Sequence, residues 1–574
     1  MDKISKEIKM IKNRINLLRR NFSKYKIDGY IVPKNDEFFS EYAEKDRLKI
    51  ISNFNGSAGL AIILKKKNYL FVDGRYTIQA KQQSGKQFKI IEIHKFLPFK
   101  IVKNLTLGFD PKLFTKRQLS IYFNNSLNLK IIKNNLIDKI NKERNSNSKP
   151  FFSLKDKTIG ESYKQKINKV VNILKSNKAD YLFISAPENV AWILNIRGHD
   201  NPHSPIPNCR LIVGKNRKIF LFTKKDKAIN IIRERKLNKK QIINPLNFEK
   251  LINNLKGKKI IIDPLSCSLH NEKIISSKFE ILKKIDPCYK LKSIKNSTEI
   301  NHMINAHIED GVALTKFIYW MKNINKKKIT EIDAKNKLEY FRKYNKNYLF
   351  PSFTTIAGTG SNGAIVHYRV SKKSNKVILK NDLFLCDSGG QYKYGTTDVT
   401  RTLCFSKQSN SVKNIFTKVL KGHIAVAIAN ISRYSTGGKI DIKARQFLRK
   451  DGLDYAHGTG HGVGFFLNVH EGPQSISKNN NVKLEEGMVV SNEPGFYKKN
   501  YFGIRIENLV YIKRKNKKLF FENLTLAPIE KDLINFNLLN KEEKNYLFKY
   551  HLNVYSKISK FLNFKEKKWL ASLI

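Results

Sequence analysis

The sequence predicts a multidomain protein that combines the α/β and α+β classes. The chain has 574 residues, and at about 150 residues per domain this length corresponds to roughly three or four domains. The front half alternates helix-like stretches with short apolar strands, which is the pattern of α/β domains. Residues 380–512 contain glycine-rich loops and strands instead. Hydrophobic residues make up 41% of the chain, enough for sizeable cores, so a wholly disordered basic protein is excluded.

Two segments of the front half resemble each other. Each begins with an amphipathic helix-like stretch, residues 8–22 in the first and 163–175 in the second. Each continues with Asp, a short apolar strand, Pro and polar residues, over 27–36 and 179–189. We therefore predict an internal duplication, with α/β domains at 1–150 and 151–290 and breaks near 143–149 and 290.

The pattern of predicted secondary structure changes after residue 293. A long helix-like pattern extends to Trp320, and a second helix is predicted over 329–344. Strands and glycine-rich loops follow, which predicts a third domain at 291–512. The last sixty or so residues carry Leu, Tyr and Val at helical spacing, so we predict a small helical C-terminal extension at 513–574.

Charge and cysteine content limit the classes of partner. The formal charge of +61 comes mostly from Lys spread along the whole chain, with abundant Asn and Ile, a composition typical of an AT-rich genome. No stripe of interleaved Arg and aromatic residues stands out, so we expect no specific nucleic-acid partner. No apolar run approaches the ~20 residues that cross a bilayer, and the N-terminus has no apolar signal core, so we expect no membrane association. Five cysteines without metal-ligand spacing indicate reduced thiols in a cytoplasmic protein.

Two aspartates form the first part of a candidate metal site. Asp387 ends an apolar strand, and Asp398 follows it after glycine-rich turn material. A hairpin there would bring both carboxylates onto neighbouring strands. Buried carboxylates repel each other unless a cation neutralises them, which favours a metal. Taken alone, a turn cap and a solvated carboxylate would explain the pair more often.

Histidines are concentrated just downstream. Three of the 12 histidines, His457, His461 and His470, lie within fourteen residues, and glycines surround the first two. The glycines argue against a helix, so this is neither a helical two-histidine zinc motif nor a dinucleotide fingerprint. A glycine-rich strand or loop that lets backbone approach a ligand suits the pattern better.

Two further carboxylates, Glu493 and Glu507, lie in or beside apolar strands. Together with the aspartates and one imidazole they form an oxygen-rich donor set. Such a set suits two adjacent divalent ions, Mn²⁺ best, with Co²⁺ or Zn²⁺ as substitutes. Two ions can share a bridging hydroxide, which is a nucleophile available at neutral pH.

In these contexts the chain resembles the methionine aminopeptidase, prolidase and creatinase superfamily, metallopeptidase family M24. The best match within it is the aminopeptidase P (Xaa-Pro aminopeptidase) group of the three-domain cytosolic type. Residues 47–48, 56–59 and 73–76 resemble the first domain of that group, 191–198 the second and 526–529 the C-terminal extension. The resemblance implies two creatinase-N-like domains, a pita-bread catalytic domain and a helical extension.

The resemblance also implies roles for individual residues. Asp398 and Glu507 would bridge both metals, Asp387 would bind one, and His461 with Glu493 would bind the other. His367, His457 and His470 match active-site histidines that orient the peptide and stabilise the tetrahedral intermediate. Glu493 would also shuttle a proton, and Tyr497 and Arg505 would shape the substrate site. Tyr394 stands where the related proteins usually have an acidic residue, and we expect no loss of activity from it.

The implied activity is hydrolysis of the N-terminal Xaa-Pro bond of peptides whose second residue is proline. A prolidase, which cleaves only Xaa-Pro dipeptides, shares the metal site and is the nearest alternative. A binding protein that has lost the metal ligands on the same fold is a second alternative, against which the five retained ligands argue. The resemblance further implies a homodimer, with the apolar face of the C-terminal region as a candidate interface.

Overall fold

In the computed structural model, the described residues are 3–42, 45–124, 128–141, 149–324 and 329–574. Of the predicted domain break near 143–149, residues 143–148 lie outside the described residues. The chain forms two compact units, residues 1–288 and 289–574, and each is described by itself. None of the described helices combines the length and the hydropathy that crossing a membrane requires.

The first unit contains the two segments that resemble each other. The elements of its first half are α1 (Lys3–Arg19), β1 (Gly29–Pro33), α2 (Arg47–Ser52), β2 (Leu60–Leu64), β3 (Asn68–Val72), α3 (Thr77–Ser84), β4 (Lys89–Glu92), α4 (Pro98–Ile101), β5 (Thr106–Phe109), α5 (Lys116–Phe123), β6 (Asn128–Ile131) and α6 (Leu136–Ile140). The elements of its second half are β7 (Phe152–Ser153), α7 (Asp156–Ile159), α8 (Tyr163–Ser176), β8 (Tyr181–Ile184), α9 (Pro187–Ile193), β9 (Ile196–Arg197), β10 (Arg210–Gly214), β11 (Ile219–Phe222), α10 (Ile229–Arg233), β12 (Ile242–Ile243), α11 (Phe248–Asn254), β13 (Lys259–Ile262), α12 (Leu269–Ser276) and β14 (Glu280–Lys283). Helix α13 (Pro287–Ser293) contains the boundary between the units.

The two halves of this unit have the same sheet topology. The first sheet has the order β4-β3-β2-β1-β5-β6, and the second has the order β12-β11-β10-β8-β13-β14. In the first sheet, β1 pairs antiparallel with β2 and parallel with β5. In the second sheet, β8 likewise pairs antiparallel with β10 and parallel with β13. This shared order confirms the predicted duplication.

The predicted opening helices of both segments are present. Helix α8 begins at a capping box between Ser162 and Gln165 and buries an apolar stripe that includes Ile167, Val170 and Leu174. Helix α1 begins before the predicted residue 8 and ends at Arg19, so Phe22 follows in a turn although it is buried. The apolar spacing therefore located the buried face of α1 correctly, but it misplaced the helix ends by a turn.

The second unit combines small sheets with long helices. Its elements are α14 (Ser297–Asn323), α15 (Glu331–Lys343), β15 (Tyr348–Pro351), β16 (Ile356–Thr359), β17 (Phe384–Ser388), β18 (Gly390–Tyr392), β19 (Gly395–Thr396), β20 (Val399–Leu403), α16 (Asn410–Ala427), α17 (Gly437–Arg449), β21 (Gly460–Gly462), β22 (Glu471–Ile476), β23 (Val489–Asn492), β24 (Gly495–Lys498), β25 (Phe502–Arg505), β26 (Asn508–Lys515), β27 (Lys518–Asn523), α18 (Lys541–Ile558) and α19 (Phe564–Ala571). They include a three-stranded sheet, β16-β17-β20, and a five-stranded sheet, β22-β21-β23-β26-β27. The predicted mixture of α/β and α+β architecture is confirmed.

Helices α14 and α15 pack against the three-stranded sheet β16-β17-β20. Helix α14 starts at a capping box between Asn296 and Glu299 and buries Phe317 against Leu338 of α15 and Phe384 of β17. The hydrophobic cluster behind β17 and β20 holds these strands in place. Polar side chains that β17 and β20 carry outside this cluster are therefore held at fixed positions.

The C-terminal extension packs against the rest of its own unit. Leu547, Tyr550 and Val554 of α18 are buried in one cluster with Phe416 of α16 and Ile504 of β25. The expectation that this apolar face forms a dimer interface is therefore wrong for these residues. A helical stripe in the sequence indicates burial, but it does not say which surface covers it.

Candidate metal centre

Asp387 and Asp398 lie on neighbouring antiparallel strands, as the hairpin predicts. Asp387 is in β17 and pairs in register with Thr400 of β20, and Asp398 immediately precedes β20. Both aspartates are buried. Successive residues of a strand alternate between its faces, so Asp398 and Thr400 share one face.

The other three predicted ligands come from the five-stranded sheet. His461 is in β21, which pairs with β23. Glu493 directly follows β23 and Glu507 directly precedes β26. Because Asn492 and Asn508 are register partners, the two glutamates extend from the same end of this strand pair.

The two sheets meet at the five predicted ligands. The backbone N–H of Glu507 donates to Thr400 O at 3.1 Å, and Thr400 Oγ1 donates to Glu507 Oε2 at 2.8 Å. His461 Nε2 lies 3.4 Å from both Asp398 Oδ2 and Glu493 Oε1. Asp398, His461 and Glu507 each offer a ligand atom, and these atoms all lie within 4.8 Å of one another.

Hydrogen bonds fix the orientation of the imidazole and of Glu493. His461 Nδ1 donates to Gly462 O at 2.9 Å, so Nε2 is the ring nitrogen that faces the carboxylates. Ser491 Oγ accepts from the backbone N–H of His461 and donates to Glu493 Oε1 at 3.0 Å. Ser491 therefore fixes the positions of His461 and Glu493 relative to each other.

Crowding of buried carboxylates shifts their protonation. Burial, together with the charges of Asp387 and Glu493, raises the pKa of Asp398 to about 6. Burial and the neighbouring carboxylates raise the pKa of Glu507 well above its usual value. Burial lowers the pKa of His461, but Asp398 and Glu493 outweigh it and raise that pKa to about 9. Asp398 and Glu507 therefore favour their protonated forms unless a cation neutralises them.

The donor set fits divalent metal ions. Four carboxylates and one imidazole match hard or borderline divalent cations. Asp387 Oδ1 is buried and has no hydrogen-bond partner in the described part of the chain. A cation that accepts this oxygen as a ligand would both satisfy it and offset the repulsion among the ionised carboxylates.

Arg505 and Tyr497 form a buried chain of hydrogen bonds beside the predicted metal ligands. Arg505 is 1% exposed, and its Nη2 donates to Asp387 Oδ2 at 2.6 Å and its Nη1 to Tyr497 Oη at 2.6 Å. Tyr497 Oη lies 2.8 Å from His457 Nε2, and His457 Nδ1 donates to Gly458 O at 2.8 Å. The tyrosine hydroxyl therefore donates to His457 Nε2. The neighbouring arginine lowers the pKa of Tyr497, but burial outweighs it and raises that pKa to about 12.

His470 and His367 occupy different parts of the site region. The ring of His470 is exposed and meets the ring of His461 edge-on, with 4.3 Å between the centroids. His367 is half-buried in the loop between β16 and β17. That loop packs tightly on β25, because a Cβ on Gly503 would lie 1.9 Å from Gly363 O.

Three polar residues of this site were missed by the sequence analysis. Thr400 contacts Glu507 and Arg505, Ser491 contacts His461 and Glu493, and Thr402 Oγ1 accepts from the backbone N–H of Arg505. Alternation along β20 was the available signal, since residues 398, 400 and 402 point to one side. For Ser491 the signal was its position two residues before Glu493 in the same strand.

Sequence profiles match almost the whole chain. The profile of metallopeptidase family M24 matches residues 301–514, and that of its C-terminal region matches 517–573. Profiles of the Creatinase/Prolidase N-terminal domain match residues 14–133 and 142–299. Xaa-Pro aminopeptidase 1 of Dictyostelium discoideum is 37% identical and aligns with 98% of this chain and 96% of its own length. The chain belongs to metallopeptidase family M24.

Within family M24, proteins that match almost the whole chain include Xaa-Pro aminopeptidases. A probable Xaa-Pro aminopeptidase P of Laccaria bicolor is 36% identical over 96% of this chain and 90% of its own. The crystal structure of X-prolyl aminopeptidase from Caenorhabditis elegans, described as a cytosolic enzyme with a di-nuclear active site, has a TM-score of 0.90 at 30% identity. It covers 98% of this chain and 99% of its own. The prolidase from Pyrococcus furiosus matches 62% of this chain and 98% of its own, with a TM-score of 0.50 at 26% identity. The predicted resemblance is confirmed.

Proposed function

We propose that this chain is an Xaa-Pro aminopeptidase that releases the N-terminal residue from peptides whose second residue is proline. The observation that carries the proposal is the convergence of Asp398, His461 and Glu507 in a family M24 chain. Curated relatives named Xaa-Pro aminopeptidase that are 36–37% identical over almost the whole chain, and the TM-score of 0.90 with the Caenorhabditis elegans enzyme against 0.50 with the Pyrococcus furiosus prolidase, support this activity over that of a prolidase.

Five residues hold two divalent metal ions in this proposal. Asp398 and Glu507 would be shared by the two ions, Asp387 would hold one, and His461 with Glu493 would hold the other. The oxygen-rich donor set favours Mn²⁺, with Co²⁺ or Zn²⁺ as substitutes. When bound, two such ions supply an activated water at neutral pH and polarise the scissile carbonyl.

The side chains around the metal ligands handle protons and position the peptide. Glu493 takes the proton of the attacking water and delivers it to the proline nitrogen, which has no hydrogen of its own in the peptide and leaves only when protonated. His367 and His470 orient the peptide and stabilise the developing negative charge, and His457 accepts from Tyr497 and so fixes that hydroxyl beside Arg505. Arg505 fixes the orientation of Asp387 from the buried side.

The deciding experiment compares an Arg-Pro-Pro tripeptide with an Xaa-Pro dipeptide. Release of the N-terminal residue is measured with metal-stripped protein, with added Mn²⁺, Co²⁺ or Zn²⁺, and with chelator. We expect metal-dependent cleavage of the tripeptide, with slower cleavage of the dipeptide. Cleavage of the dipeptide alone would identify a prolidase.

Substitution of the ligands separates catalysis from binding on the same fold. Asp387→Ala and Glu493→Ala should each abolish turnover while leaving the fold intact by circular dichroism. No cleavage of either peptide by the native protein, together with no bound metal, would instead favour a binding protein.

Two wider properties complete the proposal. All five cysteines are buried free thiols, which supports a cytoplasmic location. A homodimer is the family's implied assembly, and exposed apolar side chains such as Phe548 and Leu552 on α18 and Phe564 on α19 are available for it. Sedimentation of the native chain against a Phe548→Glu/Leu552→Glu variant tests both the dimer and this surface.

A further inference from the structure

Arg401 is a buried cation that joins three parts of the second unit. It lies in β20, three residues after Asp398, and is 3% exposed. Its Nη1 donates to Glu507 O at 2.6 Å and to Thr400 O at 2.8 Å, and its Nη2 donates to Asn508 Oδ1 at 2.8 Å. The guanidinium therefore connects β20 to the backbone of Glu507, the residue that faces Asp398.

The remaining acceptors of Arg401 belong to the C-terminal region. Arg401 Nε donates to Pro528 O at 2.9 Å, and Nη2 donates to Ala527 O and Tyr550 Oη, both at 2.8 Å. Tyr550 Oη in turn donates to Ala527 O at 2.6 Å. Tyr550 is buried on the inner face of α18, so its hydroxyl position is fixed by the packing of that helix.

We propose that the C-terminal region helps to set the geometry of the metal centre, because Tyr550 positions Glu507 through Arg401. This inference rests on the proposed metal-ligand role of Asp398 and Glu507. Arg401 and Tyr550 are positioning residues, since neither touches a ligand atom of the site. The C-terminal region supplies the acceptors that hold the guanidinium at one place, and the guanidinium holds the backbone of Glu507.

The physical reason lies in the geometry that a two-metal site demands. Asp398 and Glu507 come from different sheets, and bridging carboxylates must be held at a fixed separation before the ions arrive. A buried guanidinium has five donors in a rigid plane, so it can bind several carbonyls in one arrangement. Lys in its place would present a single point charge. Nη2 of Arg401 shares its two hydrogens among three acceptors, so Phe in place of Tyr550 would remove the one on α18 and leave Asn508 Oδ1 and Ala527 O to hold this end of the guanidinium.

The test measures Co²⁺ affinity and the Co²⁺ ligand-field absorption spectrum of the full chain and of three variants. Removal of outer-shell partners of metal ligands typically weakens metal binding 10–100-fold. We expect about 10-fold weaker binding for Tyr550→Phe and about 100-fold for Arg401→Lys, each with a changed spectrum. Tyr555→Phe is the matched control, because it removes a hydroxyl from α18 that is not among the groups Arg401 contacts. It should bind Co²⁺ as the native chain does.

A double-mutant cycle shows whether Tyr550 acts through Arg401. If it does, Tyr550→Phe causes no further loss of Co²⁺ affinity in the Arg401→Lys background. Multiplied losses, or Co²⁺ affinity and spectra of Tyr550→Phe equal to those of Tyr555→Phe, would overturn this inference and leave the proposed function intact. Absence of Co²⁺ binding by the native chain would instead contradict the proposed metal site itself.

Discussion

Arg505 Nη2 donates to Asp387 Oδ2 at 2.6 Å, while the other carboxylate oxygen of Asp387 has no hydrogen-bond partner in the described part of the chain. A buried oxygen left in this way costs about 1–3 kcal/mol. The arginine therefore holds the carboxylate in one orientation and directs Oδ1 towards the space that a metal ion would occupy. Oδ2 of Asp387 accepts the hydrogen bond from Arg505, and Oδ1 is left to bind a metal ion.

This division predicts the effect of Asp387→Asn. The amide oxygen can still accept from Arg505, so the amide nitrogen, which cannot bind a cation, would face the metal position. We expect the metal content after dialysis against Mn²⁺ to fall from two ions per chain to about one, with loss of turnover. Metal analysis of the dialysed protein checks this. Glu522→Gln, which changes an exposed carboxyl of β27, is the control. An unchanged content of two ions in Asp387→Asn would contradict the assignment.

Gly503→Ala tests the packing of the His367 loop on β25. The added Cβ would lie 1.9 Å from Gly363 O, and backbone cannot move aside without shifting the loop. A displacement of about 1 Å at an active site can cost 100-fold in rate. We therefore expect kcat/KM to fall by up to that factor while metal content stays the same. Gly472→Ala is the matched control, since its Cβ would meet nothing within 4 Å. Equal kcat/KM values for the two alanine variants would disprove the role of this contact.

The sequence predicted the five metal-ligand positions because each carries a chemical signal. Polar side chains in or directly beside apolar strands carry this signal, because a charge there needs a compensating partner; they are Asp387, Asp398, His461, Glu493 and Glu507. The pairing of β17 with β20 followed from a turn signal between them. The duplication in the first unit was visible because helix, Asp, strand and Pro recur in the same order.

The supporting residues could not be predicted in the same way. Arg401 lies between two threonines of β20, and most of its acceptors, which include backbone carbonyls, Asn508 Oδ1 and Tyr550 Oη, are more than a hundred positions away. Backbone acceptors leave no mark on sequence composition. Tyr550 fits a helical stripe that is equally compatible with a core and with a dimer interface. Long-range hydrogen bonding decides its role, and only the fold reveals it.

Glu331→Gln tests a second support of the His367 loop. Glu331, at the start of α15, accepts from Thr359 N at 2.8 Å, Asn362 Nδ2 at 2.9 Å, Tyr368 Oη at 2.8 Å and Lys376 N at 3.1 Å. These groups flank His367 on both sides. Glutamine has one acceptor oxygen in place of two, so buried donors lose their partner at a cost of about 1–3 kcal/mol. We expect a lower melting temperature and a lower kcat/KM.

The control for Glu331→Gln lies on the same helix. Glu339 accepts a hydrogen bond from Tyr348 Oη at 2.7 Å, which an amide oxygen can also accept, and its ion pair with the exposed Lys343 at 3.8 Å contributes little. Glu339→Gln should therefore leave both the melting temperature and kcat/KM close to native. If the two variants behave alike, the network around Glu331 does not support the loop.

The first unit contains a pair of buried aspartates whose protonation should change its stability. In the first sheet, Asn135 Nδ2 donates to Asp110 Oδ2 at 3.0 Å, after β6 and β5 respectively. After the corresponding strands β14 and β13 the second sheet has Asp286 and Asp263, so a carboxyl replaces the amide. Burial, with a smaller contribution from the charge of Asp263, raises the pKa of Asp286 from 3.8 to about 6.

The sign of the pH dependence follows from this raised pKa. The folded state favours the protonated carboxyl, so its stabilisation is fully present below pH 3.8 and is lost as pH rises through about 6. A difference of about two pKa units corresponds to about 3 kcal/mol. The free energy of unfolding of the native first unit should therefore fall by up to this amount between pH 4 and pH 7 relative to an Asp286→Asn variant. The variant can keep a hydrogen bond to Asn189, whose Oδ1 has no partner among the described residues and becomes available if its amide rotates.

Urea unfolding at pH 4, 5, 6 and 7 measures this difference. In a Trp320→Phe/Trp569→Phe background, the fluorescence of Trp192 reports on the first unit, because the chain has three tryptophans. Asp226→Asn, which neutralises an exposed carboxyl of the same unit, controls for net charge and should follow the native profile. Parallel profiles for the native protein and Asp286→Asn would mean that Asp286 is ionised in the folded state throughout this range. The ionised Asp286 would then need a compensating partner, whereas Asn135, the amide that follows the corresponding strand of the first sheet, needs none.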